Sequence, residues 1–219
     1  MIKNIIFDFD GVIVDSEVIV AKSVCKYLLD RGISFGEKDF FRLAGNKTVQ
    51  IISDLSAKFK IQDEEKFYND IINISHDLYN NKLEAISGIE NFLKKTNHTR
   101  LIGSNNIKDR IIKGLQAIKL EKFFSNNLIF SFDMIGIPKP SPDIYLKAIE
   151  IGKINKSETI IIEDSLIGTK AGVSAGIKVI GLTAGGHWYN GRSNNELYEA
   201  GAYEVVNNYH DMLLLIDKL

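Results

Sequence analysis

Two carboxylates stand two residues apart at the end of a short apolar run near the start of the chain. Residues 5–7 are rich in β-branched side chains, which is typical of a buried strand, and Asp8 and Asp10 follow. Alternate strand residues point the same way, and like charges about 4 Å apart repel by about 4 kcal/mol where the effective dielectric constant is about 20. The pair therefore predicts a bound cation, although alone it equally fits a strand ending in an acidic turn. Gly11 would allow a sharp turn or a close approach to a ligand.

Polar side chains also follow other predicted strands. Ser104 and Asn105 come after one strand, and Glu163 and Asp164 come after the strongest strand pattern in the chain. Lys139 lies in a Lys-Pro-Ser-Pro-Asp loop that follows another strand. Ligands of open α/β sheets bind beyond the carboxyl ends of the strands, so these groups are expected to meet the first carboxylate pair. Their convergence predicts a functional site that no single motif would establish.

These residue types are suited to the chemistry of phosphate esters. Clustered oxygen ligands favour a hard cation, and Mg²⁺ is the usual one where phosphate also binds. Asp8 has the character of a nucleophile that becomes phosphorylated. Asp10 could protonate the leaving oxygen and later activate water. The predicted phosphate-binding groups are Lys139, Ser104 and the backbone amides around Gly11 and Asn105.

Strand and helix patterns alternate over most of the chain. Each strand is a continuous apolar run, which is typical of a parallel sheet buried on both faces. The fold class is therefore predicted to be α/β with a doubly wound parallel sheet. The predicted strands lie near residues 5–7, 100–103, 128–130, 159–162 and 178–182.

The stretch between Asp15 and Glu84 has helical patterns and no convincing strand. We expect it to form a small all-α domain, residues 15–84, inserted after the first strand. Residues 1–14 and 85–219 would then form the core domain. The predicted helices of the insertion cover about 16–32, 37–42, 47–59 and 63–83.

Composition limits the classes of function. The 219 residues are 45% hydrophobic and 25% charged with a net charge of −1, as in ordinary globular proteins. No basic block predicts a nucleic-acid partner, and no apolar run approaches the roughly 20 residues of a membrane span. The single Cys25 excludes an internal disulfide, and Asp8 and Asp10 interrupt any signal peptide. We expect a cytoplasmic monomer with a small-molecule substrate.

The sequence resembles the haloacid dehalogenase superfamily, in the branch with a small helical cap inserted after the first motif. The resemblance covers essentially the whole chain, with four motifs in the family's order. It implies a Rossmann-like core and a cap domain. The motifs are Asp8-Phe9-Asp10-Gly11-Val12, Ser104 after its strand, Lys139 in its proline-containing loop, and Glu163-Asp164-Ser165 trailed by Gly168, Ala171 and Gly172.

The resemblance implies a role for each motif residue. Asp8 would be the nucleophile and, through its other oxygen, a metal ligand. Asp10 would be the general acid/base and would coordinate Mg²⁺ through its backbone carbonyl. Asp164 would complete the protein ligands, with Glu163 binding directly or through water. Phosphate would be bound by Ser104, Asn105 and Lys139.

The same resemblance separates possible activities. Dehalogenases and phosphonatase-like members lack an aspartate at the position of Asp10, so a phosphatase or a phosphomutase is expected. β-Phosphoglucomutase carries a histidine ten residues beyond its acid/base aspartate, where this chain has Val20. This favours a Mg²⁺-dependent phosphatase of a small metabolite such as a sugar or sugar-acid phosphate. The alternatives are a sugar phosphomutase and a non-catalytic phosphometabolite-binding regulatory protein.

Substrate choice in this family resides largely in the cap. Arg42, Asn46 and Lys47 flank Gly45 and match the cap loop that faces the active site. They are candidates for contacts with a polar or anionic end of the substrate. Ordinary surface residues at the start of a helix would give the same pattern.

Overall fold

The computed structural model describes residues 1–43, 48–189 and 191–219. Within these ranges the strands form one six-stranded sheet whose neighbours are all parallel. They are β1 (Asn4–Phe7), β2 (Thr99–Ser104), β3 (Ile129–Ser131), β4 (Thr159–Glu163), β5 (Lys178–Leu182) and β6 (Glu204–Val206). Their order across the sheet is β3-β2-β1-β4-β5-β6, so the chain winds outward from β1 in both directions. The predicted α/β class with a doubly wound parallel sheet is confirmed.

The helices fall into two groups along the chain. Those before residue 85 are α1 (Ser16–Leu29), α2 (Glu37–Phe41), α3 (Thr48–Phe59) and α4 (Glu64–Lys82). Those after it are α5 (Ile89–Lys95), α6 (Lys108–Ala117), α7 (Phe132–Ile135), α8 (Asp143–Gly152), α9 (Leu166–Ser174), α10 (Asn195–Glu199) and α11 (Tyr209–Ile216). Short 3₁₀ turns span Glu121–Phe123, Asn126–Leu128 and Lys156–Glu158.

The central strands are buried on both faces of the sheet. Ile5 and Phe7 of β1 belong to one apolar cluster, and Ile6 between them belongs to another on the opposite face. This alternation follows from the two-residue period of a strand. Burying each such side chain contributes about 1.5–3 kcal/mol, so the continuous apolar runs stabilise the sheet that carries the site.

Strand register brings the ends of β1, β2 and β4 to one level. Phe7 pairs with Ile102 of β2 and with Ile162 of β4. The next residue, Asp8, donates its backbone N–H to the carbonyl oxygen of Ile162 at 2.9 Å. The polar residues that follow each of these strands therefore start from adjacent backbone positions.

Helices α1–α4 pack around an apolar cluster of their own. Leu28, Ile52 and Ile71 are buried within it, and the rings of Tyr27 and Phe67 stack with centroids 4.3 Å apart. The two segments that join this group to the sheet lie side by side, since the Ile86 N–H donates to the Ile13 carbonyl at 2.9 Å. The division into a cap and a core domain at residues 14/15 and 84/85 stays a prediction.

Three elements near the carboxyl end were not predicted. Strand β6 has only three half-buried residues at the sheet edge, and α10 has five residues, so neither carries a clear periodic pattern. Helix α11 did carry one, because Tyr209, Met212 and Ile216 are its buried side. Helix α9 begins at Leu166, directly after Ser165, whose side chain caps the helix by accepting the Gly168 N–H. None of the helices in the described ranges has the length and apolarity that a membrane crossing needs.

Candidate active site

Lys139 joins two carboxylates at the carboxyl edge of the sheet. Its Nζ donates to Oδ1 of Asp8 and to Oε1 of Glu163, both at 2.6 Å, and its side chain is 3% exposed. Burial by itself would lower the pKa of Lys139, but Asp8 and Glu163 raise it well above the usual value. The lysine therefore stays charged and is fixed beside the predicted nucleophile.

Glu163 is fully buried, and donors surround both of its oxygens. Oε1 accepts from Lys139 and from the Tyr145 hydroxyl at 3.0 Å. Oε2 accepts from the backbone N–H groups of Asp164 at 3.0 Å and Ser165 at 3.1 Å, and from the Ser165 hydroxyl at 2.9 Å. A carboxylate has about four lone-pair sites, so the capacity of Glu163 is taken up by these donors. It anchors Lys139 and the turn into α9.

Two glycines let the backbone approach these acids. A Cβ on Gly168 would lie 1.7 Å from Oε1 of Glu163, and one on Gly11 would lie 1.7 Å from Oδ2 of Asp164. Gly11 also has a φ of +73°, which disfavours other residues. Its N–H donates to the Val14 carbonyl at 2.7 Å, so this amide closes a turn. Phosphate contacts by the backbone amides around Gly11 stay a prediction.

Three carboxylates form a cluster that could hold a metal ion. One oxygen each of Asp8, Glu163 and Asp164 lies within 4.8 Å of the others. Burial is the largest cause that raises the pKa of Asp8 and of Asp164 well above the usual range, and repulsion from neighbouring carboxylates adds to it. Lys139 alone does not balance this charge, so the donor set fits a divalent cation. Nε2 of His187 lies 3.1 Å from Oδ2 of Asp164, and burial lowers the pKa of this histidine.

Asp10 is held on both oxygens by neutral donors. The Ser16 hydroxyl donates to Oδ1 at 2.5 Å, and the side-chain amide of Asn106 donates to Oδ2. Burial raises the pKa of Asp10, while the Ser16 hydrogen bond and the charge of Arg110 oppose the rise. The carboxyl group therefore keeps its proton to a higher pH than a free aspartate does.

Ser104 is the last residue of β2, Asn105 follows it, and both line the same cavity as the aspartates. Oγ of Ser104 accepts the backbone N–H of Asn106 at 3.1 Å. Oδ1 of Asn105 accepts the backbone N–H of Lys139 at 2.8 Å, which ties the lysine loop to the end of β2. The structure thus brings Ser104, Asn105 and Lys139 together beside Asp8.

The cavity above these residues has a volume of about 540 Å³, which is within the range of small-molecule sites. Its floor is the polar sheet edge. Helices α1, α2 and α3 contribute the apolar Val20, Phe40 and Ile51 to its lining, and we call this part of the wall the cap side. These three were not among the predicted site residues, because apolar side chains at helical spacing look the same whether they face a ligand or a core.

The predicted cap contacts have a different setting. The Arg42 side chain is 71% exposed, lies 3.4 Å from Oδ1 of Asp39, and is not among the described residues that line the cavity. Asn46 and Lys47 lie outside the described residues. The role of these three residues in substrate binding stays a prediction.

Other polar lining residues were also missed as site residues. They are Ser16, Glu17, Asn106, Arg110, Ser165, His187, Arg192 and Glu196. Asn106 lies two residues beyond Ser104, which was a usable signal, because strand-end loops carry ligand contacts. The charged residues on α6 and in the segment after β5 could not be separated from ordinary surface charges by sequence pattern.

A doubly wound sheet with this acidic, lysine-anchored edge defines a class of phosphate-processing α/β enzymes, and comparison with known families makes the class specific. Residues 5–182 match the family of haloacid dehalogenase-like hydrolases. The match covers more than half of the chain, and the chain belongs to this family.

Two curated relatives and one solved structure illustrate the similarity. The chain is 26% identical over 192 residues to the 6-phosphogluconate phosphatase of Escherichia coli strain K12, covering 85% of each protein. It is 25% identical over 209 residues to a phosphorylated carbohydrates phosphatase of Thermotoga maritima, covering 93% of this chain and 94% of the relative. A haloacid dehalogenase-like protein of unknown function from Agrobacterium tumefaciens superposes with a TM-score of 0.87 at 27% identity, covering 100% of this chain and 99% of the other.

Proposed function

We propose that this protein is a Mg²⁺-dependent phosphomonoester hydrolase that acts on a small phosphorylated metabolite through a phospho-aspartate. One observation carries the proposal: Lys139 is ion-paired with Asp8 at the floor of a cavity that Asp10 also lines. A nucleophile, a fixed cation and a proton donor are the parts that phosphoryl transfer to a carboxylate needs. The names of both curated relatives, phosphatases of 6-phosphogluconate and of phosphorylated carbohydrates, support a sugar or sugar-acid phosphate as substrate.

The proposed reaction has two steps. A carboxylate oxygen of Asp8 attacks phosphorus, the bond to the bridging oxygen breaks, and protonated Asp10 gives its proton to that oxygen as the alcohol leaves. Water then attacks phosphorus of the acyl phosphate and loses a proton to Asp10, which releases phosphate and restores Asp8. Lys139 offsets the negative charge that develops on the phosphoryl oxygens, with Ser104 and Asn105 beside it.

We assign the metal site to Asp8, Asp164 and the backbone carbonyl of Asp10. The oxygens of Asp8 and Asp164 lie within the acidic cluster, and their buried charge favours a cation. Bound Mg²⁺ would withdraw charge from the phosphoryl group and reduce its repulsion from the nucleophile. The donors around Glu163 favour an anchoring role for this residue over direct ligation.

Phosphatase activity is favoured over phosphomutase activity by Val20. This residue lines the cavity from α1, at the position where β-phosphoglucomutase has a histidine according to the resemblance. An apolar side chain cannot move a proton there, so the control that keeps a phospho-aspartate from water is missing. A non-catalytic binding protein, the other alternative, would not need both Asp8 and Asp10 beside a phosphate site.

Hydrolysis of an aryl phosphate tests this proposal. We expect Mg²⁺-dependent turnover that chelation abolishes and that Asp8→Asn lowers by at least about 10⁴-fold, because the variant lacks the attacking carboxylate. Asp30→Asn is the matched control, since Asp30 is exposed on α1's carboxyl end and pairs with the exposed Lys26. A wild-type protein that binds Mg²⁺ but hydrolyses no phosphomonoester would overturn the enzyme assignment.

A further inference from the structure

Among the described residues, three cationic side chains line the cavity, and two of them are already paired. Lys139 is held by Asp8 and Glu163. The guanidinium of Arg192 lies 2.7 Å from Oε1 of Glu196 and also donates to a backbone carbonyl. The third cation is Arg110 on α6.

Arg110 is held in place by an aromatic ring, and its charge acts on Asp10 without forming a salt bridge within the described residues. Its guanidinium carbon lies 4.3 Å from the ring centroid of Tyr79 on α4, and the Tyr79 hydroxyl donates to the Arg110 carbonyl at 3.3 Å. Its Nε is buried and donates to no acceptor. In the ranges that the structure describes, no salt bridge joins Arg110 to a carboxylate. A guanidinium that is fixed on an aromatic ring, lines the cavity and forms no salt bridge among the described residues can bind a planar or tetrahedral anion.

Arg110 lies where the leaving group of the substrate is expected, and not where the transferred phosphate is expected. The phosphate-binding residues Ser104, Asn105 and Lys139 lie beside Asp8, whereas Arg110 is four residues beyond Asn106, which holds Asp10. As the proposed proton donor, Asp10 must contact the bridging oxygen of the substrate. The alcohol part of the substrate is therefore expected on the side of Asp10 that faces away from the phosphate. On the cap side, the lining residues Val20, Phe40 and Ile51 are apolar, so these three cannot compete with Arg110 for an anionic group.

We propose that Arg110 is a specificity-determining residue that binds a second anionic group, a carboxylate or a second phosphate, on the leaving-group part of the substrate. This inference rests on the proposed phosphatase function. It assigns to the core helix α6 a selection that sequence reasoning placed in the cap loop. A planar guanidinium can bind either anion with two parallel hydrogen bonds, and a neutral hydroxymethyl group can use only one.

The experiment compares matched substrates that differ only in the second group. Gluconate 6-phosphate is paired with glucitol 6-phosphate, and fructose 1,6-bisphosphate is paired with fructose 6-phosphate. For Arg110→Met we expect kcat/KM to fall by about 10–100-fold for the member with the second anionic group in at least one pair, mainly through KM. For the member that lacks this group we expect a clearly smaller loss, which reflects only the effect of the Arg110 charge on Asp10.

Each outcome has a defined meaning. Selective loss in the first pair assigns a carboxylate, and selective loss in the second assigns a phosphate. Equal loss for both members of both pairs, or no loss, would overturn the proposal and leave Arg110 as a structural link between α6 and α4. Arg110→Lys keeps the charge and the stem, so it should show a smaller loss with the same selectivity, and it provides the test if the methionine variant does not fold.

Failure of this inference is distinguishable from failure of the proposed function. If the wild-type protein hydrolyses both members of each pair and Arg110→Met is unselective, only the role of Arg110 is lost. If the wild-type protein hydrolyses none of these esters and no aryl phosphate, the phosphatase assignment itself is lost. Arg192→Met serves as a comparison, because Arg192 is already paired with Glu196 and is not expected to separate the members of a pair.

Discussion

The sheet edge and the helices α1–α3 of the predicted cap line one cavity, but they are built in opposite ways. At the sheet edge, Lys139 and Glu163 are joined by buried ion pairs and hydrogen bonds that connect β1, β4 and the loop before α8. On the cap side, the cavity wall includes Val20, Phe40 and Ile51, which also belong to or pack on the apolar cluster inside the cap. One wall consists of mutually fixed charges, and the other is an extension of a hydrophobic core.

This difference separates chemistry from selection. Charges that hold one another in place are preorganised for the transition state, so a change at the sheet edge should act on kcat. An apolar wall contributes contacts that are similar in the ground state and the transition state, so a change there should act on KM. Variants on the two sides can confirm or break this division.

Among variants that keep the nucleophile Asp8, the largest effect is expected from Asp10→Asn. For a substrate with an alkoxide leaving group, we expect kcat to fall by about 10²–10⁴-fold, because the proton donor is lost. For an aryl phosphate, whose leaving group needs no proton, formation of the phospho-enzyme should persist. Mg²⁺ affinity should change little, since the proposed ligand at this position is a backbone carbonyl. Isothermal titration and rapid-quench kinetics check both points, and a large loss of Mg²⁺ affinity would count against the assignment.

Metal binding should stabilise the protein more at about pH 7.5 than at about pH 5. The pKa values of Asp8 and Asp164 are raised in the folded protein, mainly by burial, so the folded state holds these protons more tightly than the unfolded state. Their contribution to stability is therefore present below the ordinary carboxyl pKa and is lost as pH rises through the raised values. A divalent cation binds the ionised pair and offsets that loss.

Thermal unfolding with and without Mg²⁺ measures this effect. We expect the Mg²⁺-induced rise in Tm to be several degrees at the higher pH and close to zero at the lower. In Asp164→Asn the rise should vanish, and the metal-free variant should lose less stability with increasing pH than the wild type. Equal Mg²⁺ stabilisation at the two pH values would contradict the assignment of the buried carboxylates as ligands.

The smallest effect is expected on the cap side. Val20→Ala shortens an apolar side chain on the cavity wall, so KM for a sugar phosphate should rise by at most about tenfold with kcat nearly unchanged. Val49→Ala is the matched control, because Val49 is on α3 of the cap and is 61% exposed. A fall in kcat in Val20→Ala that matches the fall in Asp10→Asn would remove the distinction between the two walls.

The placement of the sheet-edge residues could be predicted from the sequence because its signals are local. Asp8, Ser104 and Asp164 each come directly at or after a buried strand, and parallel strands place such residues at one edge. The anchoring role of Glu163 could not be predicted from such local signals. Its anchoring depends on Tyr145 and Lys139, which are 18 and 24 residues away in the chain and are brought near only by packing.

The cap wall and the chain after β5 were harder to predict for a different reason. Val20 and Ile51 have the helical spacing of core residues, and nothing in that pattern tells whether the buried side faces a ligand. His187 and Arg192 lie in a segment outside helices and strands, where side-chain direction follows from tertiary contacts. Arg110 has the pattern of an exposed helix residue. Its contact with Tyr79 on α4 and its place in the cavity lining depend on how the helices pack.

The most direct test of the central claim is to trap the covalent intermediate. Asp10→Asn is mixed with an aryl phosphate and Mg²⁺, quenched in acid, and analysed by peptide mass spectrometry. We predict one phosphoryl group per chain, on the peptide that contains Asp8, because attack by Asp8 remains possible while activation of water is lost. Absence of a covalent phosphoryl group during turnover, or its presence on another residue, would contradict the account.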